Sequence, residues 1–265
     1  MARRGSHTVL ILPDAHFPFI DKLAWSTAMA AGRKLRPQRT VLLGDLINGT
    51  PFSRHAVREL KEIARRDFKS FEIDPANAAL DEIESFTKGE IAITAGNHDA
   101  WPERAAAQLG KELASVFPLF DPEHLLTGHR KRVRWIKYGR DVSLPGYHYE
   151  ITPDFWAFHE VTHARNAVSK TLDALPTVSS VFGHVHRVQS EARSVMVGSE
   201  RRVVESFTPG CLCELSPRFM GGKPSTWVHA IGVAYVKNDL TSFDMHTCKI
   251  VDGKCKLPDG TSVHG

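Results

Sequence analysis

Five short apolar runs, each followed at once by a polar or glycine-containing loop, constrain the fold of this chain more than any other feature. The runs are Thr8–Leu12, Thr40–Leu43, Ile91–Thr94, Phe155–Phe158 and Val178–Phe182. They are rich in β-branched and aromatic residues and show no apolar–polar alternation, which is typical of strands that are buried on both faces. The five runs therefore predict the central strands of a layered protein.

Helical patterns separate the first three runs. They cover Asp21–Leu35, Ser53 to about Phe71, and Asp74 to about Gly89, so that strands and helices alternate as they do in βαβ units with a mainly parallel core. After residue 183 the pattern changes to short strands at Arg202–Phe207, Ile231–Val236 and Thr241–Met245, with a hairpin at Asp252-Gly253. No internal repeat, linker or low-complexity segment interrupts the chain, which predicts a single domain over residues 1–265.

Composition excludes several classes of protein. The 265 residues include 34 Lys and Arg against 30 Asp and Glu, a net charge of +4, and 42% are hydrophobic. A disordered or fibrous chain does not have this composition. No apolar run approaches the roughly 20 residues of a membrane helix, and Thr8–Leu12 is too short for a signal peptide of about 7–15 apolar residues. We expect a cytoplasmic protein with reduced cysteines and no membrane partner.

All five loops carry side chains that commonly bind metals. They are Asp14, His16, Asp45, Asn97, His159, His184 and His186. Ligands of parallel α/β sheets bind beyond the carboxyl ends of the strands, so these side chains should converge. Carboxylates and imidazoles together suit Mn, Fe, Zn, Ni or Co rather than an all-oxygen Mg or Ca cage. One carboxylate can bridge two ions about 3.5–4 Å apart, which activates water and clamps a phosphoryl oxygen.

Taken in order, these loops match the sequence blocks of a known family. The blocks D-x-H, G-D, G-N-H-[DE], H and G-H-x-H all lie between residues 14 and 186, and the chain resembles the calcineurin-like metallophosphoesterase superfamily. Its small size and the segment at 208–215 resemble phage-encoded members. The resemblance implies an α/β fold of four layers, in which two mixed β-sheets pack as a sandwich flanked by helices, with a dimetal site at the strand ends.

The resemblance also assigns roles to individual residues. It implies two divalent transition-metal ions, with Mn the first candidate. Asp14, His16 and His186 would hold one ion, Asn97, His159 and His184 the other, and Asp45 would bridge both. His98 would bind no metal and would instead stabilise the transition state and protonate the leaving oxygen. The implied reaction is in-line attack on phosphorus by a metal-bridging hydroxide, which agrees with the positioning and charge neutralisation that phosphoryl transfer requires.

One residue departs from the family pattern. Many members carry Asp three residues after the bridging Asp, where it orients the catalytic histidine, whereas this chain has Asn48. We expect Asn48 to orient His98 by hydrogen bonding without stabilising its protonated form by charge. The stretch also lacks the Arg of the serine/threonine phosphatase branch and the Tyr of the purple acid branch, which favours phosphodiester over phosphomonoester substrates.

The substrate is left open among several hypotheses. Residues 129–140 form the one dense basic run; they indicate either a contact with nucleic acid, and hence a DNA nuclease, or a strand with a solvated basic face. A cyclic-nucleotide or small-molecule phosphodiesterase and a phosphomonoesterase are the alternatives, and a catalytically dead binding scaffold comes from a different class. His55, His163 and Arg165 are candidate substrate-binding residues, with ordinary loop polarity as the alternative. The oligomeric state is undetermined.

Overall fold

The computed structural model describes residues 5–53, 58–108, 117–217 and 225–265 and contains two mixed β-sheets. The larger sheet is built from β1 (Ser6–Leu12), β2 (Arg39–Leu42), β3 (Ile91–Thr94), β4 (Val133–Ile136), β10 (Ala230–Lys237), β11 (Phe243–Val251), β12 (Lys254–Lys256) and β13 (Ser262–His264). Its strand order is β13-β12-β11-β10-β1-β2-β3-β4. The strands β1 to β4 pair in parallel, whereas β10 to β13 are antiparallel additions beside β1.

The smaller sheet has five strands. They are β5 (Tyr149–Thr152), β6 (Phe155–Phe158), β7 (Ser179–Phe182), β8 (Val188–Val197) and β9 (Glu200–Pro209), in the order β5-β6-β7-β9-β8. The pairs β6–β7 and β7–β9 are parallel, and the outer pairs are antiparallel. The five apolar runs of the sequence are thus β1, β2, β3, β6 and β7, all within the parallel parts of the two sheets.

The described helices are α1 (Lys22–Leu35), α2 (Arg58–Arg66), α3 (Asp74–Phe86), α4 (Trp101–Gln108), α5 (Pro122–Thr127) and α6 (Ala167–Ala174). Asp21 caps α1, because its side chain accepts a hydrogen bond from the Ala24 amide. A single helix over 53–71 is not what forms. Instead a 3₁₀ turn at Thr50–Phe52 comes before α2, and a π-helical segment at Lys69–Ile73 leads into α3. Pro75 lies in the first turn of α3, where a missing N–H costs no hydrogen bond.

Three apolar layers hold the sheets and helices together. On β1, Leu10 faces a cluster that includes Met29 of α1 and Ile83 of α3, whereas Val9 and Ile11 face the second sheet. The other face of the second sheet packs against α6. The molecule is therefore a sandwich of two mixed sheets with helices on both outer faces, as the resemblance to the family implies. No helix within the described ranges is long and apolar enough to cross a membrane.

Strand boundaries agree well where the sequence is continuously apolar. The structure has β3 and β6 over the predicted residues, and a hairpin joins β11 to β12 at Asp252-Gly253 through the pair Val251 and Lys254. The predicted strand Thr241–Met245 begins later, at Phe243, and continues to Val251. The long strand β8 was not predicted, because its residues are only half-buried or exposed and its polar positions resemble those of a loop. All four cysteines are buried free thiols, as expected.

Candidate dimetal centre

The predicted ligands lie on loops that leave neighbouring strands at one edge of the sandwich. The loop after β1 is tied to the loop after β2 by hydrogen bonds from the His16 amide to the Asp45 carbonyl (2.8 Å) and from the Phe17 amide to the Leu46 carbonyl (2.8 Å). The loop after β7 joins them because the His184 amide donates to Asp14 Oδ1 at 2.8 Å. Parallel pairing of the strands thus delivers distant parts of the sequence to one cleft.

The backbone of these loops is held in an unfavourable conformation. Eight non-glycine residues of the described chain have a positive φ, and five of them are predicted metal ligands: Asp14, His16, Asp45, His184 and His186. Left-handed backbone is costly for residues with a Cβ atom and persists only where the surrounding structure enforces it, most often at functional sites. The strain therefore coincides with the residues that the sequence singles out.

Two glycines allow the ligand loops to approach one another closely. A Cβ atom on Gly96 would lie 2.1 Å from Asp45 Oδ1 and 2.4 Å from the Asp45 amide. Gly44 has a φ of +85°, and a Cβ atom there would lie 2.7 Å from His159 Nδ1. A side chain at either position would push apart the loops that carry Asp45, Asn97 and His159, so the requirement for glycine follows from the packing of this site.

A first group of donor atoms forms around His16 and His186. The two Nε2 atoms are 3.2 Å apart, and His186 Nε2 is 3.3 Å from Asp14 Oδ1. Asp45 Oδ2 lies 3.5 Å from His16 Nε2. All four side chains are buried. Asp14 Oδ2 is buried as well and has no hydrogen-bond partner among the residues that the structure describes, so within them this group contains an unsatisfied carboxylate oxygen.

A second group shares Asp45 with the first. His159 Nε2 lies 3.3 Å from Asp45 Oδ2 and 3.1 Å from Asn97 Oδ1. His184 joins them, since one ligand atom from each of Asp45, His159 and His184 lies within 4.8 Å of the others. Asp45 Oδ2 therefore lies between the two groups, where a bridging carboxylate has to be, and the structure brings together all seven predicted ligands.

The spacing of the donor atoms fits divalent metal ions. Two ligands that are about 2.0–2.2 Å from one ion at 90–110° are roughly 3.0–3.5 Å apart. The measured separations of 3.1 to 3.5 Å fall in this range. Two imidazole lone pairs that point at one another, as in His16 and His186, repel unless a proton or a metal ion lies between them. The cluster could therefore hold metal ions, and its role as their site stays a prediction.

The charges of the cluster point the same way. Asp14 and Asp45 are buried, and in the described part of the chain their only ion-pair partners are histidines. Burial lowers the pKa of His159, but the Asp45 carboxylate outweighs that effect and raises it to about 10. Burial is also the largest influence on His16, and it lowers that pKa well below its ordinary value. Bound divalent ions would compensate the two carboxylates in place of protons.

Two of the cluster histidines have a partner for the ring nitrogen that points away from the cluster. His159 Nδ1 donates to the Leu43 carbonyl at 2.6 Å, which directs the lone pair of Nε2 into the cluster. His186 Nδ1 lies 3.7 Å from the sulfur of Cys213. Such partners fix the orientation and basicity of metal-binding imidazoles. Cys213 was not predicted, because a C-x-C pair alone carries no metal-site signal.

Glu160 is the partner of His184 and was also missed by sequence reasoning. Its side chain is fully buried, and Oε2 lies 3.2 Å from His184 Nε2. Oε1 accepts hydrogen bonds from the Tyr138 hydroxyl and from Arg140 Nε. Burial opposes its ionisation, but His184 and Tyr138 outweigh burial and lower the pKa of Glu160. Its place directly after His159 in the sequence is the one signal that could have pointed to it.

His98 lies at the edge of the cluster and is oriented by the backbone of Asn48 and by the ring of Trp101. Its Nδ1 donates to the carbonyl oxygen of Asn48 at 2.8 Å, and its ring stacks on Trp101 with 3.9 Å between centroids. The Asn48 side chain instead donates to Thr50 Oγ1 at 3.0 Å. The expectation that the Asn48 side chain orients His98 is therefore wrong: the contact is made by the backbone carbonyl, an atom that every residue type at this position possesses.

Two buried carboxylates hold the loops that carry these groups. Asp99 accepts hydrogen bonds from the amides of Gly96 (2.8 Å) and Ile47 (3.1 Å), which joins the Asp45 loop to the Asn97 loop. Glu72, near the end of the segment that leads into α3, accepts from the amides of Gly49 (2.6 Å) and Thr50 (2.8 Å). Burial raises the pKa of each carboxyl to about 7. Glu72 was not predicted, since nothing local in the sequence links it to Gly49.

Two of the predicted substrate-binding residues, His163 and Arg165, lie at the surface outside the cavity. His163 is exposed, and its ring lies 6.2 Å from that of His184. Arg165 is exposed too and contributes its backbone carbonyl to a hydrogen bond from Gln189. Neither lines the cavity beside the cluster. His55 lies outside the described residues. The assignment of these three residues stays a prediction.

The basic run at 129–140, which we call the basic segment, contains β4, and two of its arginines are bound by other parts of the fold. The Arg130 side chain is 3% exposed and pairs with Asp81 (2.6 Å) and with Glu84. Arg132 donates to the carbonyls of Thr87 (2.7 Å) and Glu84 (3.0 Å). Pairing of this kind is what a structural strand edge shows, and it leaves these two guanidinium groups occupied by protein atoms.

Comparison with known proteins gives only distant similarity. No protein-family model matches the chain, and no curated protein does. Among solved structures, Vps29 from Cryptosporidium parvum is 12% identical with a TM-score of 0.49, covering 98% of this chain and 99% of that one. A Vps29 single mutant from Entamoeba histolytica is 13% identical (TM-score 0.44; 97% and 99% covered). The nuclease MPE from Pseudomonas putida is 13% identical (TM-score 0.32; 90% and 86% covered). At these values the likeness carries no information on activity, which has to be inferred from the site itself.

Proposed function

We propose that this protein is a phosphoesterase of the calcineurin-like type that uses two divalent metal ions, with Mn²⁺ the first candidate, and hydrolyses phosphodiesters. The observation that carries the proposal is the convergence of seven predicted ligands around a shared Asp45 carboxylate. Six of them have donor atoms 3.1–3.5 Å from a neighbouring donor, and a ligand atom of His184 lies within 4.8 Å of those of Asp45 and His159. When bound, the two ions would supply Lewis acidity toward a phosphoryl oxygen and lower the pKa of water.

The side chains divide the remaining work between them. Asp14, His16 and His186 would hold the first ion, and Asn97, His159 and His184 the second. The loop contacts described above keep these groups in place before substrate binds, so little reorganisation is needed during the reaction.

His98 is placed to handle the proton of the leaving group. Its Nδ1–H is engaged by the Asn48 carbonyl, so its Nε2 is the nitrogen that can face substrate. The side chain is 20% exposed and borders the cavity, and Nε2 lies 3.9 Å from Asp45 Oδ2. An imidazole held in this way can donate a hydrogen bond or a proton to an ester oxygen at phosphorus. Stacking on Trp101 keeps the ring in this orientation.

Hydrolysis of bis-p-nitrophenyl phosphate by Mn²⁺-loaded protein tests the proposal. We expect turnover that requires the metal, and a His98→Asn variant that keeps its metal but loses most of its activity. His148→Asn is the matched control, because His148 stacks on Trp156 outside the cluster. Full metal loading without turnover on diesters, monoesters, cyclic nucleotides or DNA would contradict the proposal and favour a binding scaffold.

A further inference from the structure

A cavity of about 330 Å³ opens beside the ligand cluster. Its floor is formed by members of the cluster and by His98, and its walls are mainly apolar, with Phe19, Trp101, Pro217 and Trp227 among them. Small-molecule sites in proteins occupy roughly 300–1,000 Å³ and have apolar walls with a few polar groups in fixed positions. The cavity has these properties and lies at the lower end of the size range.

The aromatic walls stand at both ends of a row of imidazoles. Trp101 stacks on His98 at 3.9 Å, and His98 meets His16 edge to face at 4.6 Å. His16 meets His186 at 5.1 Å, and His186 in turn meets Trp227 at 4.1 Å and 72°. A phosphoryl group held at the cluster would therefore have an indole on either side of it. Indole rings bind planar groups by stacking and by edge-to-face contact.

The two indoles are not equivalent. One face of Trp101 is covered by the His98 ring, so this indole holds a catalytic group in place. Trp227 has no stacked ring partner in the described ranges and is half-buried at the cavity wall. Of the two indoles, Trp227 is therefore the one that is placed to contact a ligand.

The charge of the described residues around the cavity favours a small ligand over a polynucleotide as its occupant. No Lys or Arg is among the described residues that line it, and the one charged side chain there outside the ligand cluster and His98 is the exposed carboxylate of Glu214. Nucleic-acid strands are bound through cations that neutralise several phosphates. In the basic segment, Arg130 and Arg132 are already occupied by protein atoms. The cavity thus suits one phosphoryl group that carries an uncharged substituent.

From these observations we infer that the cavity binds one planar aromatic ester group of a small phosphodiester, either a nucleoside base or an aryl group, and that Trp227 contacts it. The inference rests on the proposed function, because the cluster has to hold the phosphoryl group, and it narrows that function to small aromatic diesters. A stacked aromatic contact strengthens binding of such a group by about tenfold.

Equilibrium binding of two phosphonates to Mn²⁺-loaded protein tests the inference directly. Phenylphosphonate and methylphosphonate present the same charged group and differ in the aromatic ring. We expect calorimetry to show phenylphosphonate binding about tenfold more tightly. Trp227→Ala should bring the two affinities together by weakening phenylphosphonate alone, and Trp227→Phe should retain most of the difference. Trp156→Ala is the control, because that indole stacks on His148 away from the cavity.

Each outcome separates the inference from the function on which it rests. Equal affinities in the unmodified protein, with diester hydrolysis intact, would overturn the aromatic site and leave the phosphoesterase. A preference that survives in Trp227→Ala would overturn the assignment of Trp227. Tighter binding of a single-stranded oligonucleotide than of phenylphosphonate, with steep salt dependence, would overturn the restriction to small substrates. If neither phosphonate binds and no diester is hydrolysed, the proposed function itself fails.

Discussion

The ligand cluster and the basic segment are both concentrations of polar or charged residues in the sequence, but in the fold they differ in whether their buried charges have partners. In the cluster, the buried carboxylates of Asp14 and Asp45 have histidines as their only described ion-pair partners, and Asp14 Oδ2 has no hydrogen-bond partner in the described part of the chain. In the basic segment, the buried Arg130 side chain has two carboxylates and three further oxygen acceptors.

This contrast shows that a high density of charged residues in a sequence indicates function less well than whether those charges are balanced by partners in the fold. Buried polar groups normally find partners within the protein. Where they do not, and where the backbone is also strained, a ligand from outside is the simplest way to complete the site. The cluster meets both conditions, whereas Arg130 and Arg132 meet neither.

The largest expected effect comes from the shared carboxylate of the cluster. Asp45→Asn should empty or distort both metal sites, because one oxygen of Asp45 faces donor groups on either side. Diester turnover should fall by more than about 100-fold. Elemental analysis and a chromogenic assay measure the two effects. Arg132→Ala, which removes a charge from the basic segment, should change neither; two ions per chain with near-normal rates in Asp45→Asn would show that the bridge is assigned wrongly.

The buried carboxylate of Glu72 is bound by the amides of Gly49 and Thr50 and by the Thr50 side chain, without a histidine partner among the described residues. Burial raises the pKa of Glu72 to about 7, whereas the unfolded chain releases that proton near pH 4.5. The free energy of unfolding should therefore fall as pH rises from about 4.5 to 7, by about 3 kcal/mol for this group. Glu72→Gln should be less stable overall, since one amide loses its acceptor, but should lack this part of the decline. Urea unfolding of both proteins at pH 5 and pH 7 measures the difference, and parallel curves would contradict the assignment.

Breaking the balanced pair in the basic segment should cost stability and leave the site intact. Arg130→Ala removes the ion-pair partner of Glu84, whose side chain is 22% exposed, and removes several hydrogen bonds. Because Asp81 is 71% exposed and rehydrates easily, we expect a loss of about 2 kcal/mol, less than for a fully buried pair. Arg134→Ala, an exposed cation 6.0 Å from the Tyr149 ring, should stay within about 0.5 kcal/mol. Urea unfolding measures the free energy of unfolding of both variants. If Arg130→Ala is fully folded and still loses metal, the claim that the basic segment is separate from the cluster is contradicted.

The smallest predicted effect concerns the residue that orients His184. Glu160→Gln keeps the shape of the side chain but removes the charge that faces His184 Nε2, and affinity for Mn²⁺ should fall by about tenfold. Glu150→Gln is the matched control, because its carboxylate lies 3.6 Å from His148 Nε2, outside the cluster. A titration of metal-free protein with Mn²⁺ distinguishes the two. Identical binding curves for Glu160→Gln and the unmodified protein would remove Glu160 from the site.

The sequence was informative where the determining contacts are local. A ligand such as Asp14 follows directly after an apolar strand, so the local pattern of residues is enough to predict its position at a sheet edge. The strand β3, continuously apolar and buried at every position, was predicted to the residue. Parallel pairing then accounts for the convergence of the loops, because neighbouring parallel strands end at the same edge.

The rest depends on contacts between distant residues and was not predictable. Glu72 meets Gly49 across 23 positions, and Arg130 meets Glu84 across 46. The sequence also does not reveal whether Asn48 orients His98 through its side chain or its carbonyl, although the two cases differ in charge and in response to mutation. Outer partners such as Glu160 are equally hidden, since one polar residue in a loop carries no pattern.

If two metal ions complete the cluster, the number of ions bound per chain can be counted. Metal-stripped protein should be titrated with Mn²⁺, with bound ions per chain and hydrolysis of bis-p-nitrophenyl phosphate measured on the same samples. We expect Mn²⁺ binding to saturate at two ions per chain, and hydrolysis to appear only as the two sites fill. Protein that binds no Mn²⁺, or that hydrolyses the diester equally well when metal-free, would contradict it.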